Sequence, residues 1–180
     1  MPEVILGTRA TKGRVVPDTW QTIEDGALLP TLAADAMVIV PLPLLREHRA
    51  SLEAREGALG VRLGVGDDVA DVVAFLPRLA LIAIEFPVFS DGRGFSKARL
   101  LRERWGFRGE LRAVGDVLRD QIFYLLRCGF DAFAVRADKD IHDALLAFDD
   151  FSDSYQGAVD EPRPAYRRTR GPVVEQGETS

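Results

Sequence analysis

The chain has 180 residues, 47% hydrophobic and 28% charged, with a formal net charge of −5 and a pI near 5.1. That length fits one domain with a proper core, the lack of an apolar run of about 18 residues argues against a membrane helix, and the acidity argues against a dedicated nucleic-acid binder, whose basic footprint would be domain-wide. A single cysteine, Cys128, excludes an internal disulfide, a CxxC pair and a cysteine zinc cluster.

The amino-terminal MPEVILGTRATKGRVV lacks the charged start, apolar run and cleavage site of a secretory signal, so a cytoplasmic location is expected. Residues 1–36 predict a small β-rich lead-in, with EVILG and GRVVP flanking the turn-prone TRATKG and Trp20 following. Residues 37–151 then alternate strand and helix patterns, the whole of 1–151 reading as a single α/β domain. DAMVIVP precedes a helical spacing over 42–55, GVRLG precedes DDVADVVAFLPRL, and ALIAIEFP precedes SKARLLRERWG. ELRAVG precedes DVLRDQIFYLLRCG, and DAFAVR precedes DKDIHDALLAFDD, giving five βα units. The near-continuous apolar runs ALIAIEFP and DAFAVR suit strands covered on both faces.

Local signals set the expected helix limits. Ser96 is the N-cap expected for a helix over 97–105, whose core stripe is Ala98, Leu101 and Trp105, and Asp116 is expected to cap a helix beginning near Val117. That second helix should stop at Cys128, with Gly129 in the left-handed position and Phe130 folding back on the last turn. Residues 152–180, rich in proline and charge, predict a disordered tail or docking arm.

Five βα units imply a mainly parallel sheet with right-handed crossovers, either an open doubly wound sheet or a partial (β/α) barrel. LRCGFDAFAVR resembles the transition into a late strand of many (β/α) barrels, which favours the barrel-like form. Both architectures place ligands at the strand carboxyl ends. There, Arg62, Glu85, Arg112 and Arg136 each punctuate an apolar run, and a charge so placed costs several kcal/mol unless paired or hydrated. Three guanidinium groups with one carboxylate suit a small anion, although strand ends emerging into solvent would carry the same residues.

The stretch FSDGRGFSKARLLRERWGFRGELRAVGD, residues 89–116, gathers seven basic side chains into this acidic chain. Asp91, Gly92, Arg93, Gly94 and Ser96 lie where a turn enters a helix, a place where backbone N–H groups and a guanidinium can meet an anion. Arg99 and Glu103 are spaced to pair along the helix. Asp116 is the candidate general base, with Glu85 beside it as a second acid–base candidate, and Gln121 can orient a substrate. His48 and His142 fall on helices away from the strand ends, and no HExxH or equivalent spacing points to a metal.

Over 85–133 the sequence closely resembles an uncharacterised bacterial family carrying a domain of unknown function and often labelled an oxidoreductase of sulfite reduction; the likeness extends more loosely across about 35–150. The family pattern coincides with Glu85, Asp91, Gly92, Arg93, Gly94, Ser96, Arg112, Asp116, Asp120 and Gln121. The resemblance implies a role alongside assimilatory sulfite reductase and sulfate activation, without a settled reaction. The residues themselves hold no dinucleotide fingerprint and no cysteine set for an iron–sulfur cluster or siroheme, which leaves flavin binding without a fingerprint open. The resulting expectation is an accessory protein of sulfite reduction that binds a small anion. An enzyme acting on an anionic substrate, and a module docking onto sulfite reductase or its electron donor, are the alternatives, and a homo-oligomer remains open.

Overall fold

Aliphatic and β-branched runs of two to eight residues form one eight-stranded sheet in the computed structural model, which describes residues 2–88, 91–149 and 158–159. The strands are β1 (Glu3–Thr8), β2 (Lys12–Pro17), β3 (Gln21–Thr22), β4 (Val38–Pro41), β5 (Leu59–Leu63), β6 (Leu79–Phe86), β7 (Glu110–Gly115) and β8 (Ala132–Phe133). Their order is β2-β1-β8-β7-β6-β5-β4-β3, parallel from β3 to β8 and antiparallel where β1 joins β2 and β8. The sheet is therefore mixed rather than mainly parallel, and the amino-terminal residues are its two edges rather than a separate lead-in. A β1–β2 hairpin extends it at one side, and β3 closes the other. Parallel strands laid down in chain order with crossovers of one hand place every connecting helix on the same face, and the sheet curls into a half-barrel.

The helices are shorter than the sequence spacing predicts. The 42–55 segment divides into α1 (Leu42–Glu47) and α2 (Arg49–Glu53), with His48 at the break. The DDVADVVAFLPRL segment makes only two 3-10 turns, Val69–Asp71 and Val73–Phe75, because three valines disfavour a helix and Pro77 stops it. Helix α3 spans Arg93–Arg99 and begins at Gly92, so Ser96 lies inside it rather than capping it. The Asp91 carboxylate takes the first amide instead, accepting from Arg93 N at 3.0 Å. Residues Leu100–Arg104 continue as a π-helical turn, in which the Trp105 amide reaches back to the Leu100 carbonyl. The wider turn rotates Trp105 out of the stripe: Ala98 and Leu101 are fully buried, whereas Trp105 is 39% exposed.

Helix α4 (Arg119–Arg127) starts two residues later than expected, and Asp116 does not cap it. The chain first turns at Gly115, whose φ of +93° and 2.4 Å Cβ approach to the Phe86 carbonyl require glycine. Asp116 N then donates to Phe86 O at 2.7 Å, and the Gln121 side chain takes the Leu118 amide at 3.0 Å. The stop at Cys128 occurs as its residues predict. Gly129, at φ +100°, donates to the Leu126 carbonyl, and Phe130 N reaches the Leu125 carbonyl, both bonds of a Schellman closure. Helix α5 (Ile141–Leu145), capped by Asp140, packs on β1 and β2.

Strand alternation sorts residues between the two faces. Val40, Val61, Ile84, Phe86, Ala113 and Phe133 point toward the helices and form the continuous core with Leu45, Leu101 and Ile122. The opposite face holds a smaller apolar group, Ile39, Leu81 and Ala83, against which Trp20 and Val114 pack. Among the described residues no helix is long and apolar enough to cross a membrane. The tail expected over 152–180 lies outside the described residues except Ala158 and Val159, the latter donating to the Arg127 carbonyl.

Candidate functional site on the open face of the half-barrel

Register alone brings two arginines together on the face that carries no helix. One row of side chains crosses the sheet as Pro41, Arg62, Ala83, Arg112, Ala132, Leu6 and Arg14. Arg62 and Arg112 thus flank Ala83 from the neighbouring strands, about 10 Å apart at the backbone by ordinary strand spacing. The next row toward the strand carboxyl ends pairs Glu85 with Val114. A methyl group between two long side chains leaves a hollow. The result is a cavity of about 270 Å³ lined by Arg62, Ala83, Glu85, Arg112, Asp18 and Thr22, together with Ile39, Val114, Gly115 and Ala134.

Carboxylates hold both guanidinium groups. Arg62 makes a bidentate pair with Glu24, through Nη1 at 2.6 Å and Nη2 at 2.8 Å, and its Nε lies 4.0 Å from Glu85 Oε2. Arg112 donates from Nε to Glu110 at 2.7 Å and from Nη1 to Asp18 at 2.8 Å. It is 2% exposed, the one buried charged residue among those described, and its Nη2 has no partner among them. Burial pushes the Glu110 pKa up, against the opposing pull of Arg112. Four carboxylates therefore surround two guanidinium groups, leaving one guanidinium nitrogen of Arg112 unmatched.

Of the four charged strand-end positions, Arg62, Glu85 and Arg112 meet in this cavity and Arg136 does not. Arg136 donates from Nη1 to Asp116 at 2.6 Å and closes a second pair with Asp138, whose hydrogen bond, followed by that of Asp116, raises its pKa. Asp116, the candidate base, is thus an ion-pair partner on the far side of Gly115. Arg93 is similarly engaged. Its Nε and Nη2 both bind Asp91, and these hydrogen bonds hold the Asp91 pKa down at about 2. Neither residue lines the cavity. Gly92 precedes α3, and Gly94 sits where a Cβ would lie 2.5 Å from the Phe86 ring, so its role is close packing. Ser96 lies within α3 and Gln121 caps α4. Phe89 and Ser90 of the glycine-rich turn are outside the described residues.

The remaining members of the basic run are mostly structural. Lys97 Nζ donates to the carbonyls of Gly64 and Val65, Arg99 faces Glu103 at 3.6 Å, and Arg104 lies over the Trp105 ring. Arg102 binds four oxygens: the carbonyls of Gly129, Phe107 and Gly109, and Asp131 Oδ2 at 2.7 Å. Asp18, Glu24 and Glu110 escape a reading by motif. Glu110 alone carries a legible signal, since two residues before Arg112 in a strand places it on the same face. Among the described residues no group of three His, Cys, Asp or Glu is placed to hold a metal ion.

No curated protein matches the chain. Residues 60–166 match the bacterial family of unknown function DUF934, a span that contains Arg62, Glu85, Glu110 and Arg112 but not Asp18 or Glu24. More than half of the chain lies in that match, and the chain belongs to the DUF934 family.

Proposed function

We propose that the protein is an accessory factor of sulfite reduction that binds a small oxyanion in the open-face cavity, with Arg112 as the principal anchor and Arg62 opposite. The observation that carries this reading is the buried Arg112 side chain, which lines the cavity with one guanidinium nitrogen unmatched. That nitrogen faces the cavity rather than another protein group, so an anion oxygen there can accept a charge-assisted hydrogen bond from it. At about 270 Å³ the cavity lies below the usual range of drug-sized pockets, which begins at about 300 Å³, so it suits a compact ligand.

Charge balance narrows the class further. With carboxylates from Asp18, Glu24, Glu85 and Glu110 around two arginines, a polyanion is repelled, and a protonated, singly charged oxyanion such as hydrogensulfite is the better fit. Glu110, whose pKa burial raises, is the group placed to take up a proton as the anion binds, easing its hold on Arg112 Nε. The sulfur context rests on the resemblance of 85–133 to proteins that accompany assimilatory sulfite reductase.

Calorimetric titration of sulfite, sulfate and phosphate into the full chain tests the reading. Arg112→Gln is expected to weaken sulfite binding at least about tenfold and Arg62→Gln severalfold, the scale of a lost charge-assisted contact, while Arg93→Gln leaves it unchanged. Sulfite binding that survives Arg112→Gln would overturn the assignment.

A further inference from the structure

The chain itself bridges the helix-free face. β2 and β3 stand at opposite edges of the sheet, yet only Asp18, Thr19 and Trp20 separate them. Eight flat strands would set those edges about 33 Å apart, whereas the steps from Pro17 to Gln21 span at most about 14 Å. The sheet must therefore curl until its edges face each other, with residues 18–20 joining them on the concave side. The contacts follow that path. Asp18 N donates to Pro2 O beside β1, Gln21 N donates to Met37 O beside β4, and Trp20 packs against Ile39, Leu81 and Ala83.

This bridge sets one carboxylate beside the unmatched donor. Asp18 Oδ2 accepts from Arg112 Nη1 at 2.8 Å, so an anion accepting from Nη2 sits one guanidinium nitrogen away from a negative charge. Three restraints fix that charge in place. Asp18 Oδ1 accepts from Trp20 N at 3.2 Å, its own amide is tied to Pro2, and its side chain is only 18% exposed. The other carboxylates of the cavity yield more readily. Glu24 and Glu85 are 55% and 39% exposed, so water screens their charge. Glu110 is the group whose raised pKa lets it take up a proton.

Building on the oxyanion reading of the open-face cavity, we infer that Asp18 is its specificity-determining residue, the fixed charge that lets a singly charged oxyanion reach Arg112 and turns a doubly charged one away. A dianion feels twice the repulsion of a monoanion from the same charge, so its affinity is lowered by the square of the factor. Both arginines fall within the family match and Asp18 does not. The anchors and the selecting charge therefore come from different parts of the chain.

Calorimetric titration of sulfite and of sulfate into the full chain, in mildly acidic buffer where hydrogensulfite prevails, reads the preference. Asp18→Asn should raise sulfite affinity about fivefold and sulfate affinity about twenty-five-fold, narrowing the preference for sulfite about fivefold. Asp18→Ser should narrow it likewise, and decides the matter if Asp18→Asn impairs folding. Asp18→Glu disturbs the fit but keeps the charge, and should keep the preference, which a purely structural role would not. Glu24→Gln should narrow it less than Asp18→Asn, because water screens that charge. Parental preference in both Asp18→Asn and Asp18→Ser, an equal narrowing in Glu24→Gln, or loss of preference in Asp18→Glu would overturn the inference while sulfite binding stands. A parent chain that binds no sulfite would overturn the open-face reading, and the role of Asp18 with it.

Discussion

Arg102 and Arg112 come from one basic run and occupy opposite roles. In the middle of the π-helical turn, Arg102 is enclosed by three backbone carbonyls and Asp131, tying the 107–109 connection to the start of β8. In the middle of β7, Arg112 is more deeply buried, yet two carboxylates meet only part of its guanidinium and it borders a hollow. Burial alone does not separate the structural arginine from the candidate ligand-binding one. The inventory of donors does: a side chain saturated by the fold has nothing to offer a ligand, whereas one left with an unmatched donor beside a cavity is placed to bind.

That comparison is most easily broken at Arg102. Arg102→Gln should destabilise the protein by about 3–5 kcal/mol, since it leaves three backbone carbonyls and the half-buried Asp131 carboxylate without their donor. Adding Asp131→Asn should recover part of the loss in a double-mutant cycle followed by urea unfolding. A loss under about 1 kcal/mol would mean that the clamp is decorative. A smaller stability effect with a sharper functional consequence is expected from Ala83→Leu, which fills the hollow between Arg62 and Arg112. Overpacking should cost about 1–3 kcal/mol, and the folded variant should lose sulfite binding; retained binding would show that the hollow is not the site.

The smallest expected effect is on pH dependence. Burial raises the pKa of both Glu110 and Asp131, from ordinary values of 4.5 and 3.8. A raised folded-state pKa means that the native state holds the proton more tightly than the unfolded chain. The stabilisation is therefore complete below the ordinary value and is lost as pH rises through the raised one. Glu110→Gln should flatten the stability profile above pH 4.5, leaving the Asp131 contribution in place. In the parent, sulfite affinity should increase as pH falls through the same window, and in Glu110→Gln that increase should vanish.

Much of the half-barrel was legible from the sequence because its signals are local. Continuous apolar strands, alternating helices and the Cys128-Gly129-Phe130 stop are all set by neighbours along the chain. The helix expected over 97–105 begins at Arg93 instead because Asp91 accepts from its amide, and Trp105 leaves the expected core stripe because a π-helical turn cannot be read from an α-helical period. The amino-terminal strands looked detached because their pairing with β8 and β4 spans long stretches of chain. The strand-end charges Arg62, Glu85 and Arg112 were found from the cost of placing a charge in an apolar run. Their carboxylate partners Asp18 and Glu24 were not, since only the folded register brings them near. Arg136 carries the same sequence signal as Arg112, and both are held by an acidic residue two positions away, Asp138 and Glu110; the difference lies in the register, which sets Arg112 beside the hollow and turns Arg136 to Asp116 outside it.

Anomalous diffraction from crystals grown with selenite in mildly acidic buffer, where the singly charged hydrogenselenite prevails, locates the anion. A selenium peak is expected in the open-face cavity, with an oxygen within hydrogen-bond distance of Arg112 Nη2, and no peak there in crystals of Arg112→Gln. Ordered selenite elsewhere on the molecule, with none beside Arg112, would contradict the assignment.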